Sequence, residues 1–297
     1  MIHLPTVSVI IPTYNHAHFL NEALLSVCEQ SYKNWEVIVI NNFSEDETIS
    51  VVESFADKRI RLENFRNHGI IAKSRNRGIE LARGQYIAFL DSDDSWYPEK
   101  LSNCLNYINN GADLVCHGLE YHGLREKNVF CGPIQLASFD KLLFRGNCII
   151  TSATVVRKDF LCRVGCFSEE SAVVTAEDYH LWLKLAQGGA KMVFLREILG
   201  RYRVHSGGQS NSVLRHLKAV LFVVENFLPS KKKRSFLFQM RVRRRRAVAL
   251  YGAGRSLQNI GNIDQSWSLF LRSISYAPFY LKNYLALMYG LFIKVTK

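Results

Sequence analysis

The sequence predicts an α/β fold: a mostly parallel, twisted sheet sandwiched by helices, followed by a helical C-terminal extension. Three observations carry this. Residues 7–11 and 35–40 are short, mostly apolar runs rich in β-branched residues, as strands buried on both faces should be. Such runs alternate with helical patterns at a spacing of about 30 residues, the length of a βαβ unit. Beyond about Ser210 every apolar pattern is helical, which puts a boundary between residues 1–210 and 211–297.

The elements follow in order. The first strand, residues 7–11, ends at Pro12, and Phe19, Ala23, Leu24 and Val27 mark one face of the next helix. Residues 35–40 form the second strand, 46–55 a helix and 59–62 a short strand. Residues 70–82 place apolar and basic residues at helical spacing and stop before Gly84. A strand at 86–90 leads through Ser95-Trp96-Tyr97 to a helix from Pro98, a first-turn proline, to residue 108. A strand near 113–116, a loop-rich stretch over 117–139 and a strand at 151–156 come next. Residues 175–185 read as a helix capped by Thr175, with Leu181, Trp182 and Leu185 on its buried face. Residues 191–195 are the last strand.

At 297 residues and 48% hydrophobic content the chain is long and apolar enough for a packed core, which excludes a disordered protein. The seven cysteines are odd in number, scattered and without CxxC pairs, so they read as reduced, mostly buried small residues rather than zinc ligands. No signal-peptide pattern opens the sequence, and no apolar run approaches the roughly 18–20 residues of a membrane span. A cytoplasmic protein, peripheral on the membrane at most, is expected. The net charge of +12 is concentrated in the C-terminal part, where residues 226–263 carry no acidic residue.

In parallel α/β sheets ligands sit beyond the carboxyl ends of the strands. Here those ends carry Thr13-Tyr14-Asn15, Asn41-Asn42 and Asp91-Ser92-Asp93, which would converge on one crevice. Residues 85–96 are the most informative stretch, because an apolar strand ends abruptly in Asp91, Asp93 and Asp94. Carboxylates spaced Asp-x-Asp suit Mg2+ or Mn2+, which take oxygen ligands and share them with phosphates. Taken alone, the same residues also read as a turn before a helix.

Val7-Ser-Val-Ile-Ile-Pro-Thr-Tyr-Asn15, Ser74-Arg75-Asn76-Arg77-Gly78, Phe89-Leu90-Asp91-Ser92-Asp93-Asp94 and Glu177-Asp178-Tyr179 with Leu181-Trp182 closely resemble the family 2 glycosyltransferases, in the family's order. The resemblance covers roughly the first 210 residues. It implies a GT-A fold, a nucleotide-sugar donor, a divalent metal (Mn2+ or Mg2+) and inversion at the anomeric carbon.

Carried over residue by residue, Pro12, Thr13 and Tyr14 match the segment beside the nucleobase and ribose, although Tyr14 also reads as an ordinary strand-end aromatic. Asn41 stands where relatives commonly carry an aspartate that accepts a uracil N–H. Its amide oxygen can still accept, but its NH2 presents a donor beside it. Arg75 matches the basic residue that approaches the diphosphate, while Lys73, Arg77 and Arg83 read as a solvated helix face. Asp91, with Ser92, matches the ribose-side contact and Asp93 the metal ligand. Asp94 either caps the next helix or assists the metal. Asp178 matches the base that takes the acceptor's proton, with Glu177 orienting the acceptor and His180 exposed. A carboxylate pair in a first helical turn is also what the macrodipole favours. Tyr202-Arg203-Val204-His205-Ser206 resembles the loop that closes over the donor, with Arg203 or His205 near the pyrophosphate or metal.

Lys231-Lys232-Lys233-Arg234 and the arginine run at 241–246 lie among Phe236, Leu237, Phe238 and Met240, a combination suited to an anionic membrane surface. Residues 247–278 resemble one tetratricopeptide-like helical hairpin, and residues 281–293 are apolar but too short to span, so they read as interfacial or as the hairpin's packing cap. The expected function is sugar transfer from a UDP-sugar by preference to a glycan or lipid-linked acceptor in cell-surface polysaccharide synthesis. Three rivals remain. A nucleotidyltransferase has no use for Glu177-Asp178; a basic nucleic-acid-binding protein lacks the interleaved aromatic platform, so no nucleic acid is expected; an inactive scaffold is compatible with Asn41.

Overall fold

The strand at Val7–Thr13 (β1) is buried along its whole length, which is why it reads as an unbroken apolar run. The structure is a computed structural model that describes residues 4–124, 126–132, 138–204, 213–230 and 235–296. It divides into two compact units, Met1–Leu142 with Asn147–Gly208, and Leu143–Gly146 with Gln209–Lys297.

In the first unit β1 is followed by α1 (Ala17–Cys28), β2 (Trp35–Asn41), α2 (Thr48–Ser54), β3 (Ile60–Asn64), α3 (Ile71–Leu81) and β4 (Tyr86–Phe89). The chain continues through β5 (Ser95–Trp96), α4 (Lys100–Asn109), β6 (Leu114–Gly123), β7 (Lys127–Val129), α5 (Phe139–Arg145), β8 (Thr154–Arg157), α6 (Lys158–Arg163), α7 (Glu177–Gln187) and β9 (Met192–Val204). The strand order is β3-β2-β1-β4-β8-β6-β9-β5, with β7 on β6.

The strands β3, β2, β1 and β4 are parallel, as expected, but the sheet as a whole is mixed: β8 runs antiparallel to both β4 and β6, and β5 antiparallel to β9. A strand buried on both faces is apolar whichever way it runs, so direction leaves no mark in its pattern. Other expectations are also corrected. Residues 117–123 extend β6 rather than a loop, and β9 continues past 195 to Val204, taking in Tyr202 and Arg203. Ser95-Trp96 is a short strand with the Trp96 indole N–H on the Ser152 carbonyl (2.8 Å), and α4 begins at Lys100 with Glu99 at its cap position, so Pro98 precedes the helix instead of opening its first turn. All seven cysteines are free, but only Cys104, Cys116 and Cys131 are buried.

A buried polar knot braces β1. Glu36, buried on β2, accepts from Ser8 Oγ (2.7 Å), Arg83 Nε (2.8 Å) and Arg61 Nη2 (2.9 Å). Burial alone would raise its pKa, yet the Ser8 and Arg83 hydrogen bonds and the Arg61 charge hold it below the ordinary value. Arg83 is exposed, as a solvated residue should be, and also pairs with this buried carboxylate, while Arg77 pairs with Glu63 and Glu80. Gly84 donates its N–H to Ser8 Oγ (2.8 Å), and a Cβ on it would stand 2.6 Å from Ser8 N and 2.8 Å from the Val7 carbonyl carbon. Backbone cannot yield there as a side chain could. Gly84→Ala is expected to cost about 1–3 kcal/mol, read as a lower denaturation midpoint with an unchanged slope.

The second unit is helical: α8 (Val213–Asn226), α9 (Phe236–Asn259), α10 (Ile263–Tyr276) and α11 (Lys282–Thr296). Ser235 and Asn262 cap α9 and α10 through side-chain oxygens, and the turn between them uses Gly261 at φ +83. Leu217, Leu250, Ala253, Leu257 and Leu269 form its core. Among the described residues no helix is long and apolar enough to cross a membrane.

Candidate active site

The loops after β1 and β2 are tied to each other. Asn15 donates its N–H to Ser44 Oγ (2.9 Å) and accepts the Glu45 N–H (2.8 Å), while Ala17 N–H meets Asp46 Oδ2 (2.8 Å). Asn15 and Phe43 adopt left-handed φ values of 52° and 55° to allow this. Tyr14 and Phe43, the latter in a loop whose Asn42-Phe43-Ser44 resembles a common variant in the family or reads as plain turn chemistry, both stand exposed. Pro12 is buried in β1 opposite Ile40, and Thr13 Oγ1 is buried with no hydrogen-bond partner.

Asn41 is occupied within the protein. Its Oδ1 accepts from Ser44 N (3.0 Å) and Ser44 Oγ (2.6 Å), and its Nδ2 donates to Asn64 Oδ1 (2.8 Å). A backbone N–H can only donate, so the atom facing Ser44 N is the oxygen, and both of its lone pairs are used. Within the protein Asn41 thus ties its own loop to β3.

At the end of β4, Asp91 donates its N–H to Ser152 Oγ (3.1 Å), and Ser92 Oγ meets His16 Nδ1 (3.0 Å). Asp93 and Asp91 are partly exposed. Asp94 is buried and does not cap α4; its Oδ1 accepts the Arg203 N–H (3.0 Å) and its Oδ2 has no hydrogen-bond partner. Arg203 Nε also donates to the Asp93 carbonyl (3.2 Å), and its Nη2 pairs with Glu22, so the end of β9 is stapled to the acidic turn. Burial, then the charges of Asp93 and Asp91, push the Asp94 carboxyl well above the usual range. Carboxylate oxygens brought together in one turn are hard ligands of the kind that suit a divalent cation. Among the described residues no three His, Cys, Asp or Glu side chains are grouped as metal ligands.

Arg75, buried on α3, links this turn to α7. Its Nη2 pairs with Asp91 Oδ1 (2.8 Å), its Nη1 with Glu177 Oε1 (3.0 Å), and its guanidinium lies over the Phe167 ring at 5.4 Å. Burial disfavours its charge, but Asp91 and Glu177 more than offset this and raise its pKa. The Nη atoms of the fork expected to reach a diphosphate thus each meet a carboxylate of the protein. Glu177 also accepts the Thr175 N–H at Oε2 (2.8 Å). Thr175 is not the cap of α7: it sits at φ +83, a strained conformation for a β-branched residue, and Ala176 occupies the cap position.

Asp178 follows in the first turn of α7, accepting from Tyr179 N (2.6 Å) and Asn147 Nδ2 (3.1 Å). Burial, then the Glu177 charge, push its carboxyl up to about 7. That value suits a group that must take a proton near neutral pH. His180 is half-buried rather than exposed, and burial pulls its imidazole down to about 4. His205 lies outside the described residues. Asn147, which holds Asp178, sits outside any motif or periodic run, and Ser152, which holds Asp91, falls in a run that reads only as a strand, so nothing in the sequence singles them out as site residues.

The Glycosyl transferase family 2 model matches residues 8–133. The Escherichia coli UDP-Glc:alpha-D-GlcNAc-diphosphoundecaprenol beta-1,3-glucosyltransferase WfgD is 31% identical over 234 residues, which cover 77% of this chain and 89% of that protein. The chain belongs to glycosyltransferase family 2. Solved structures share its GT-A fold at 18% identity. S. aureus TarS 1-349 in complex with UDP-GlcNAc aligns with a TM-score of 0.65 over 90% of this chain and 81% of that one. The mannosyltransferase PcManGT from Pyrobaculum calidifontis, in complex with GDP-Man and Mn2+, aligns at 0.61 over 99% and 81%. The family 2 match takes in the acidic turn and Arg75, whereas Asn147, Glu177 and Asp178 lie beyond it.

Proposed function

We propose that this glycosyltransferase is metal-dependent and inverting, and moves a sugar from a nucleoside-diphosphate donor, UDP by preference, to a hydroxyl of a glycan or lipid-linked acceptor. The setting proposed is cell-surface polysaccharide synthesis on the cytoplasmic face of a membrane, with residues 1–210 as the catalytic domain and no nucleic acid as partner. One observation supports the reading above the others: Arg75 bonds both Asp91 of the acidic turn and Glu177 of α7, the chain neighbour of Asp178.

Asp93, with Asp91, would hold Mn2+ or Mg2+, which when bound offsets negative charge on the departing diphosphate. Tyr14 and Phe43 offer surfaces for the base, and Thr13 Oγ1 a hydroxyl for the ribose side. Asp178 takes the acceptor's O–H proton as that oxygen forms its bond to the anomeric carbon. The bond from that carbon to the phosphate oxygen breaks, its electron pair leaves with the nucleoside diphosphate, and attack from the opposite face inverts the centre. Glu177 is a positioning residue, held by Arg75. The UDP preference draws on the E. coli relative, named for UDP-Glc; with Asn41 closed, base selection would fall to Thr13, Tyr14 and the 43–45 loop.

The test is nucleotide release from UDP-, GDP-, TDP- and CMP-sugars with Mn2+ or Mg2+, for wild type and Asp93→Ala. Release from one donor class that disappears on chelation, and falls by about a hundredfold or more in the variant, is expected. Release indifferent to both would overturn the metal assignment. Saturable donor binding without any turnover, acceptor glycans included, would identify an inactive scaffold.

A further inference from the structure

The helix α11 is amphipathic in the wrong sense for a solvent-facing helix. Its inward positions are small or polar: Asn283, Ala286 and Gly290 are buried. A Cβ on Gly290 would stand 2.5 Å from Trp267 Nε1, and the Ala286 carbonyl accepts from Gln258 Nε2 at 2.9 Å. That side is therefore committed to α9 and α10. The opposite side carries Leu281, Leu285 and Met288, 70%, 66% and 68% exposed, at spacings of four and three, with Leu291 and the preceding Phe279 also exposed. Large apolar groups face out where charged ones are the rule.

Charge identifies what could cover this face. Residues 209–297 contain sixteen Lys and Arg but only two acidic residues, Glu225 and Asp264, while the whole chain is at +12, so the preceding residues are slightly acidic. Beside the apolar stripe, a groove of about 360 Å³ is lined by Tyr251, Arg255, Lys282, Leu285, Ala286 and Tyr289, with two cations and no carboxylate. A second copy of this unit would set like charge against like. An anionic lipid surface supplies both missing parts, an apolar layer for the leucines and phosphates for Arg255 and Lys282.

We propose that the outward face of α11 is a monotopic membrane anchor, with Leu281, Leu285 and Met288 entering the acyl layer of an anionic bilayer while Arg255 and Lys282 meet headgroup phosphates. Binding through this face requires no catalysis. Its test, run without donor or acceptor, is separate from that of the transferase reading.

The full chain is sedimented with phosphatidylcholine vesicles, with and without phosphatidylglycerol, beside Leu285→Ser/Met288→Ser, which alters exposed side chains and no charge. Wild type should bind the anionic vesicles and release them as salt rises. The double variant, with an unchanged circular dichroism spectrum, should bind about tenfold or more weakly. Equal binding by both proteins would overturn insertion. So would a wild-type dimer in sedimentation equilibrium that the double variant abolishes without any vesicle binding, or salt-sensitive binding to single-stranded RNA with none to vesicles.

Discussion

Asp178→Asn is expected to lose transfer activity by about 10²–10⁴-fold while gaining stability at neutral and alkaline pH. The two effects have one cause. The folded protein keeps this carboxyl protonated up to about pH 7 because of burial and the adjacent Glu177 charge, whereas an unfolded chain gives up the proton near pH 4. The unfolded state thus binds fewer protons between about pH 4 and 7, so this group's contribution to stability falls as pH rises through that window. Asparagine removes the penalty, which should appear above pH 7 as a gain on the order of 1 kcal/mol. Wild-type kcat/KM should rise with pH through about 7 as the base ionises. Transfer assays and thermal melts at pH 6 and pH 8 on both proteins decide the matter: a variant that retains transfer, or is stabilised equally at both pH values, would remove Asp178 from the role of base.

Arg75→Met is expected to destabilise the protein by about 3–5 kcal/mol, because it leaves Asp91 and Glu177 without the buried cation that both share. Arg75→Lys should recover only part of this, since an ammonium cannot present two parallel N–H groups to two carboxylates. Urea denaturation separates this from the role that the family resemblance suggests. If Arg75 served chiefly to hold a donor diphosphate, the methionine variant would fold with near-normal stability and show only weakened donor binding. A loss of several kcal/mol would identify Arg75 as the strut that holds the acidic turn and α7 together.

The parallel half of the sheet was legible because β1, β2 and β4 are apolar on both faces and their crossover helices show period and breakers. Legibility failed where strands are polar on one side. The Gly118-Leu-Glu-Tyr-His122 part of β6 and the Arg201-Tyr-Arg203 end of β9 look like loops, yet pair residue by residue, Tyr121 with Tyr202 and His122 with Arg203. Thr175 was misleading for a different reason: threonine is a favoured cap residue, but here its backbone is held at φ +83 beside the Glu177 carboxylate. For the site, sequence could nominate residue types at strand ends but not what they touch. Nothing in the pattern reveals that Asn41 is closed by Ser44 and Asn64, or that Arg75 answers to two carboxylates.

The reversal of direction at β8 has a further meaning. Because β8 runs against β4, the chain reaches the crevice a second time from the opposite side, and it arrives through residues 147–152, which hold Asp178 and Asp91. The parallel strands β1, β2 and β4 fix one wall in a shared register, whereas the approach to β8 is a weakly patterned connection that carries β7 and α5. Insertions or deletions in that connection can remodel the neighbourhood of Asp178 without disturbing a rung of the parallel ladder. The two walls of the crevice can thus diverge at different rates, one bound by the geometry of the sheet and the other free to change length.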